Sequence, residues 1–161
     1  MAARIILGID PGLNNTGWGI LRAEGSNLGF IASGTLTTST KQSTTERLKA
    51  IHEGFLELIE QYQPTTAAIE EVFVNENARS SLKLGQARGV AMLATGLAGL
   101  ECAEYTPTAI KKAIVGTGRA DKTQMAYMVN MLLPGASPKT ADAADALAVA
   151  ICHAHTSQNQ Y

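Results

Sequence analysis

The 161-residue chain is short of cysteine: Cys102 and Cys152 are its two, far apart in sequence. Two such thiols make no disulfide framework and read as reduced side chains in the interior of a cytoplasmic protein. Long apolar runs are missing too. The most hydrophobic stretches are broken by Gly, Thr or a charge, which excludes a transmembrane helix and with it a membrane partner. Met1-Ala2-Ala3-Arg4-Ile5 runs straight into a strand-like segment, without a signal-peptide core and cleavage site. No repeat, low-complexity tract or Pro/Gly/Ser linker divides the chain. One domain is therefore expected over residues 1–156, with a polar tail at 157–161. Hydrophobic residues at 45% and charged residues at 17% suit a packed core rather than disorder.

An excess of charge is also absent: the net value is −1. The distribution is uneven, however. Residues 1–76 carry five basic and nine acidic side chains. Residues 77–122 carry Arg79, Lys83, Arg88, Lys111, Lys112, Arg119 and Lys122 against Glu101, Glu104 and Asp121, a net +4. A polyanion meets a locally basic surface there, and Arg79, Lys83, Lys111, Arg119 and Lys122 are candidate contacts to it. A solvated helix face accounts for charge asymmetry alone equally well. Gly116-Thr117-Gly118, just ahead of Arg119, is either a plain turn or a place where backbone approaches a phosphate.

The first strand, Arg4 to Asp10, is almost continuously apolar, as a strand covered on both faces should be. Pro11-Gly12 turns the chain into strands from Thr16 to Arg22 and from about Leu28 to Thr37, an antiparallel meander. Thr44 to Gln63 repeats Leu48, Ile51, Phe55, Leu58, Ile59 and Tyr62 at helical spacing, capped by Ser43 or Thr44 and followed by Pro64. A strand from Ala67 to Phe73 comes back through this crossover, parallel to the first. A helix from Asn77 to Leu100 follows, then a strand near Ala103–Tyr105, helices from about Pro107 and Lys122, and a last helix from near Thr140. The fold class is α/β: a three-layer domain with a mixed sheet and helices on both faces. The helix around Gly85 to Leu100 is small or apolar at nearly every position. Burial on more than one side is expected, either inside one protomer or against a partner subunit.

Four carboxylates stand out. Asp10 ends the first strand, where open α/β sheets place ligands. Glu70 or Glu71 lies in an otherwise apolar strand, and periodicity alone leaves open which of them joins Asp10. Asp142 and Asp145 lie three apart on one face of an alanine-rich helix. Singly, each has an ordinary explanation, such as a turn cap or a helix N-terminal acid. Together, with little lysine near them in sequence, they would repel unless a cation joined them. Hard oxygen donors without a Cys–His set point to Mg²⁺, with Mn²⁺ able to substitute. Two such ions roughly 3.5–4 Å apart suit phosphodiester hydrolysis. Cys152-His153-Ala154-His155 and His52 lack ligand partners nearby in sequence and read as helix residues, not a metal site.

Ile6-Leu-Gly-Ile-Asp10-Pro-Gly12, Ala68-Ile-Glu70-Glu-Val-Phe73, Leu82-Lys-Leu-Gly-Gln-Ala-Arg-Gly-Val-Ala91, Val115-Gly-Thr-Gly118 and Ala141-Asp-Ala-Ala-Asp-Ala-Leu-Ala148 stand in that order. This set resembles the RuvC-type Holliday-junction resolvases of the RNase H-like nuclease superfamily, over nearly the whole chain. The resemblance implies a five-stranded sheet flanked by helices and a homodimer built on the Asn77–Leu100 helix. It also implies metal-dependent paired nicking of four-way DNA junctions in homologous recombination and DNA repair, leaving 5′-phosphate and 3′-hydroxyl ends. By that resemblance Asp10, Glu70, Asp142 and Asp145 are catalytic metal ligands, and the Ala-Ile-Glu unit favours Glu70 over Glu71. Phe73 matches an aromatic that stacks on a junction base. Lys111 and Lys122 match basic residues near the scissile phosphate, Lys122 in a catalytic role. RuvA–RuvB-type branch-migration proteins are implied as partners. The Asp10-Pro-Gly12 turn also has a counterpart in actin- and sugar-kinase-like ATPases, but those need two lobes, and a non-catalytic junction-binding scaffold has no use for the acid set.

Overall fold

A computed structural model of the chain describes residues 2–71 and 76–157. Strands β1 (Arg4–Asp10), β2 (Asn15–Glu24) and β3 (Asn27–Thr37) are followed by helix α1 (Thr44–Tyr62), strand β4 (Thr66–Glu70) and helix α2 (Ala78–Leu97). Strand β5 (Cys102–Tyr105) and helices α3 (Pro107–Val115), α4 (Lys122–Leu132) and α5 (Ala141–Ser157) complete the order. The sheet runs β3-β2-β1-β4-β5, with β1, β2 and β3 antiparallel and β4 and β5 parallel to β1. The register shifts between Ile20 and Leu21, and Ile31 of β3 is the unpaired residue of a bulge in the β2–β3 pair.

Side-chain alternation along the strands builds two cores. Leu7, Ile9, Ile20, Ala67 and Ile69 face α1 and α2, where Ile51, Phe55, Leu58, Ala87, Ala91 and Ala94 meet them. Ile6, Leu21, Ala23 and Ala68 face the opposite layer of α3, α4 and α5. The continuous apolar run of β1 is thus explained: both of its faces are covered. Helix α1 begins with a reciprocal Ser43–Glu46 capping box and ends at Gln63 in the left-handed region, immediately before Pro64.

Helix α5 is the fully sheathed helix, with Ala143 and every residue from Ala146 to Ala154 buried. Glycine seats it on the sheet. A Cβ at Gly8 would lie 2.1 Å from the Ala146 carbonyl oxygen, and one at Gly17 would lie 2.0 Å from that of Asp142. At its far end, Arg4 donates to the Ala154 carbonyl oxygen at 3.1 Å and bonds the Ser157 hydroxyl. His153 is buried and hydrogen-bonded at both ring nitrogens, to the Thr66 hydroxyl at 2.9 Å and the Tyr105 hydroxyl at 2.7 Å. Burial, and then the Arg4 charge, lowers its pKa, so it serves as a neutral tie between helix and sheet.

Of the two settings open for helix α2, burial on all sides inside one protomer is not the one seen. Its sheet-facing side buries Ala87, Ala91, Ala94 and Thr95, whereas Leu82, Leu93 and Leu97 are more than half exposed. Gly85, Gly89 and Gly96 face open space and bring no backbone close within the chain. Helix α1 and the sheet together cover one side of the helix, and the opposite stripe is left as apolar surface.

Replacing Gly8 by alanine forces a methyl group into helix backbone. Denaturant unfolding of Gly8→Ala should show a loss of about 1–3 kcal/mol, the usual cost of overpacking a fitted core.

Candidate active site

The parallel pairing of β1 and β4 sets Ile9 beside Ile69, so Asp10 and Glu70, one step further on, leave the sheet side by side. Both strands are apolar up to those residues because the layers on either side demand it, and the acids come where that cover ends. Glu70, rather than Glu71, is the residue hydrogen-bonded to Asp10. Helix α5 approaches over β1 and β2 and brings the charges of Asp142 and Asp145 to bear on Asp10 from its first turns. Thr140 fixes that end: its hydroxyl accepts from the Ala143 N–H at 3.1 Å and shares a hydrogen bond with Thr35 of β3 at 2.7 Å.

The electrostatics register the crowding. Burial, then the charges of Glu70, Asp145 and Asp142 in that order, drive the Asp10 pKa up to about 8. Asp10 holds its proton and donates it to Glu70. Glu70 is raised by burial and by Asp145, against the hydrogen bond from Asp10 and the charge of Lys111. Asp145, the most exposed of the four, is raised by partial burial and Asp142, while Lys122 pulls it down. Lys111 on α3 and Lys122 at the start of α4 thus reach the acids but do not balance them.

Among the described residues no three Asp, Glu, His or Cys side chains stand as a finished metal cage. Like charges hold each other apart, so the set is open while still close enough to couple. The donor chemistry nevertheless fits a divalent ion: four carboxylates with hard oxygens, one of them kept protonated near neutral pH by burial and then by the charges of its neighbours. Asp10, Glu70, Asp142 and Asp145 are the residues able to hold it. Beside them a cavity of about 640 Å³ opens between α3, α4 and α5, with Lys111, Lys122, Glu70 and Asp145 on its wall.

The loop leaving Asp10 is braced from three sides. Thr16, fully buried, bonds the Gly12 carbonyl at 2.6 Å, and Thr38 donates to the Leu13 carbonyl at 2.6 Å. Buried Arg47 of α1 donates to the Thr38 hydroxyl at 2.9 Å and to the Asn14 side chain. None of Arg47, Thr38, Thr35 or Thr140 is suggested by sequence pattern, since each acts on a residue remote in the chain. The alternation Gly17-Trp18-Gly19 in β2 was the available signal for a closely seated helix. Arg79 and Lys83 lie exposed on the first turns of α2, and Arg119 is exposed between α3 and α4. Phe73 lies outside the described residues.

A β3-β2-β1-β4-β5 sheet with acids from β1, β4 and α5 gathered at one end defines an RNase H-like nuclease. The family model "Crossover junction endodeoxyribonuclease RuvC" matches residues 6–153, and the chain belongs to that family. Among its curated relatives, the RuvC of Brucella anthropi is 53% identical over 96% of this chain and 90% of its own length. That of Nitrobacter hamburgensis is 55% identical over 93% of this chain and 88% of its own. The structure of T. thermophilus RuvC in complex with Holliday junction substrate superposes with a TM-score of 0.91 at 30% identity, covering 97% of this chain and 96% of that one. The yeast mitochondrial Holliday junction resolvase shares the fold, with a TM-score of 0.68 at 12% identity over 93% of this chain and 78% of its own.

The raised Asp10 pKa fixes a stability signature. The folded protein keeps this proton up to about pH 8, whereas the unfolded chain loses it near 3.8. Its contribution is complete below about pH 4 and is lost as pH rises toward 8. Asp10→Asn cannot ionise and can still donate to Glu70. In metal-free buffer its unfolding temperature should exceed that of wild type at pH 8, by about 2–4 °C for each kcal/mol of repulsion removed. The gap should close as pH falls to 4 in a thermal scan series.

Proposed function

We propose that this chain is a structure-specific endodeoxyribonuclease that resolves four-way DNA junctions in homologous recombination and repair by paired, Mg²⁺-dependent nicks. The supporting observation is the unbalanced carboxylate set at the sheet end, with Asp10 pushed to about 8. Asp10, Glu70, Asp142 and Asp145 would hold one or two divalent ions, Mn²⁺ substituting for Mg²⁺. When bound, such ions supply an activated water and charge stabilisation at a phosphoryl group.

The chain's own residues supply the rest. Lys111 and Lys122 flank the acids and hold a phosphate beside them, and Lys122, next to Asp145, adds positive charge where the phosphoryl oxygens gain negative charge. Arg79, Lys83 and Arg119 track the DNA backbone further out, making binding fall with salt, and Phe73 stacks on a junction base. Two copies joined through the exposed Leu82, Leu93 and Leu97 face of α2 present two equivalent sites to a nearly two-fold junction, so paired cuts follow from geometry. A single nuclease unit over residues 1–156, acting in the cytoplasm with RuvA–RuvB-type branch-migration proteins, completes the reading. Among the described residues no helix is long and apolar enough to cross a membrane.

A synthetic four-way junction and a linear duplex of matched sequence, each assayed with Mg²⁺ and with EDTA, test this. Cleavage is expected on the junction alone, with Mg²⁺ alone, leaving 5′-phosphate ends. Asp10→Asn should drop cleavage to background while junction binding in a gel-shift assay persists. A fully active Asp10→Asn protein would refute the assignment.

A further inference from the structure

The first turn of α5 rests on one row of the sheet. Across the ladders Asp10 pairs with Gly17, and Gly17 pairs with Thr35. Above that row, Asp142 sits on Gly17 and Thr140 bonds Thr35 at 2.7 Å. A Cβ on Gly17 would stand 2.0 Å from the Asp142 carbonyl oxygen, 2.4 Å from its carbonyl carbon and 3.0 Å from its Cβ. A single hydrogen atom therefore separates the strand residue opposite Asp10 from the helix residue that carries a second carboxylate. We propose that Gly17 is a positioning residue that sets the gap between Asp10 and Asp142, and so the size of cation the acids accept.

The contact cannot be relieved locally. Two of the three atoms are helix backbone, and a first turn held by Thr140 and Thr35 moves only as a unit. Gly19, two residues along the same face, is different in kind. Its Cβ would meet the buried Leu147 side chain at 2.6 and 2.8 Å and the Leu147 backbone nitrogen only at 3.0 Å, so the overlap falls mainly on a core side chain and costs stability, without pressing on the turn that carries Asp142. Restoring an allowed separation at Gly17 takes the contact from 2.0 Å to at least 3.0 Å, so the helix and its acids must lift by about an ångström. Mg²⁺ demands a near-ideal octahedron with oxygens at about 2.0–2.1 Å, whereas Ca²⁺ takes irregular shells at about 2.3–2.6 Å. A widened gap therefore penalises the smaller ion more.

This inference rests on the metal reading above, and calorimetric titration of the metal-free protein with Mg²⁺ and with Ca²⁺ separates the two. Gly17→Ala, shown folded by circular dichroism, should lose about 10–100-fold in Mg²⁺ affinity, the range for residues that position metal ligands, and much less in Ca²⁺ affinity. Gly19→Ala should leave both affinities at the wild-type values. If Gly17→Ala does not fold, Thr35→Val decides: it frees the same turn without adding an atom, and should lower the Mg²⁺ to Ca²⁺ affinity ratio. A folded Gly17→Ala protein with the wild-type ratio, or an equal loss in Gly19→Ala, overturns the proposal while the metal reading stands. A wild-type protein that binds neither ion overturns both.

Discussion

Repulsion among four carboxylates is the constraint around which this molecule is arranged. Left to themselves, Asp10, Glu70, Asp142 and Asp145 would separate, and the raised pKa of Asp10 records first its burial and then the charges of the other three that the fold holds near it. The restraint comes from packing, not from counter-charge. Lys111 and Lys122 reach single acids, whereas the alanine-rich body of α5 is buried along most of its length against β1 and β2. Burial of that helix, about 25 cal/mol for each Å² of apolar surface, offsets a local electrostatic cost at its first turn. The unfavourable charge cluster therefore sits at the end of the best-packed helix, where the core can sustain it.

The two ends of α5 are secured by different chemistry. At the acid end the ties are steric and short-range: Gly8 and Gly17 admit helix backbone to the sheet, and Thr140 bonds Thr35. At the far end they are polar: neutral His153 joins Thr66 and Tyr105, and Arg4 donates to the Ala154 carbonyl and the Ser157 hydroxyl. Thr66 begins the strand that Glu70 ends, so His153 ties α5 to the strand carrying its electrostatic neighbour. The loop after Asp10 has its own brace in Thr16, Thr38 and Arg47. An acid on a strand end, an acid pair on a helix and a braced loop thus form one stiff unit, which preorganised metal and phosphate chemistry needs.

Much of this was legible in the chain because the relevant signals are local. Apolar strands broken only by an acid at the end, the crossover helix with its Ser43 cap, and the Asp142–Asp145 spacing each follow from a few neighbouring residues. What stayed hidden involves contacts between distant segments. Periodicity could not separate Glu70 from Glu71, because the choice depends on which face meets Asp10 after β1 and β4 pair. His153 reads as an ordinary helix histidine until Tyr105 and Thr66 are brought to it. Helix α2 could be read only halfway: its apolar composition all round suggested cover on more than one side, but composition does not say which molecule provides it. Its glycines at 85, 89 and 96 face open space among the described residues, and Leu82, Leu93 and Leu97 remain exposed.

That exposed stripe and the acid cluster bear on each other. A phosphate approaching four carboxylates is repelled, and the chain as a whole, at net −1, offers no long-range attraction to DNA. Attraction has to come from the basic residues concentrated between Arg79 and Lys122, several of which stand on α2 and on the helices next to the acids. One protomer presents few of them. Pairing two protomers through α2, as proposed, would bring their basic stretches onto one assembly and double the positive surface without adding a charge to the acid pocket. On the proposed dimer the apolar face of α2 and the weak net charge become consistent parts of one design: affinity for a polyanion would arise from assembly, and the acid end would keep the negative charge that hard cations require.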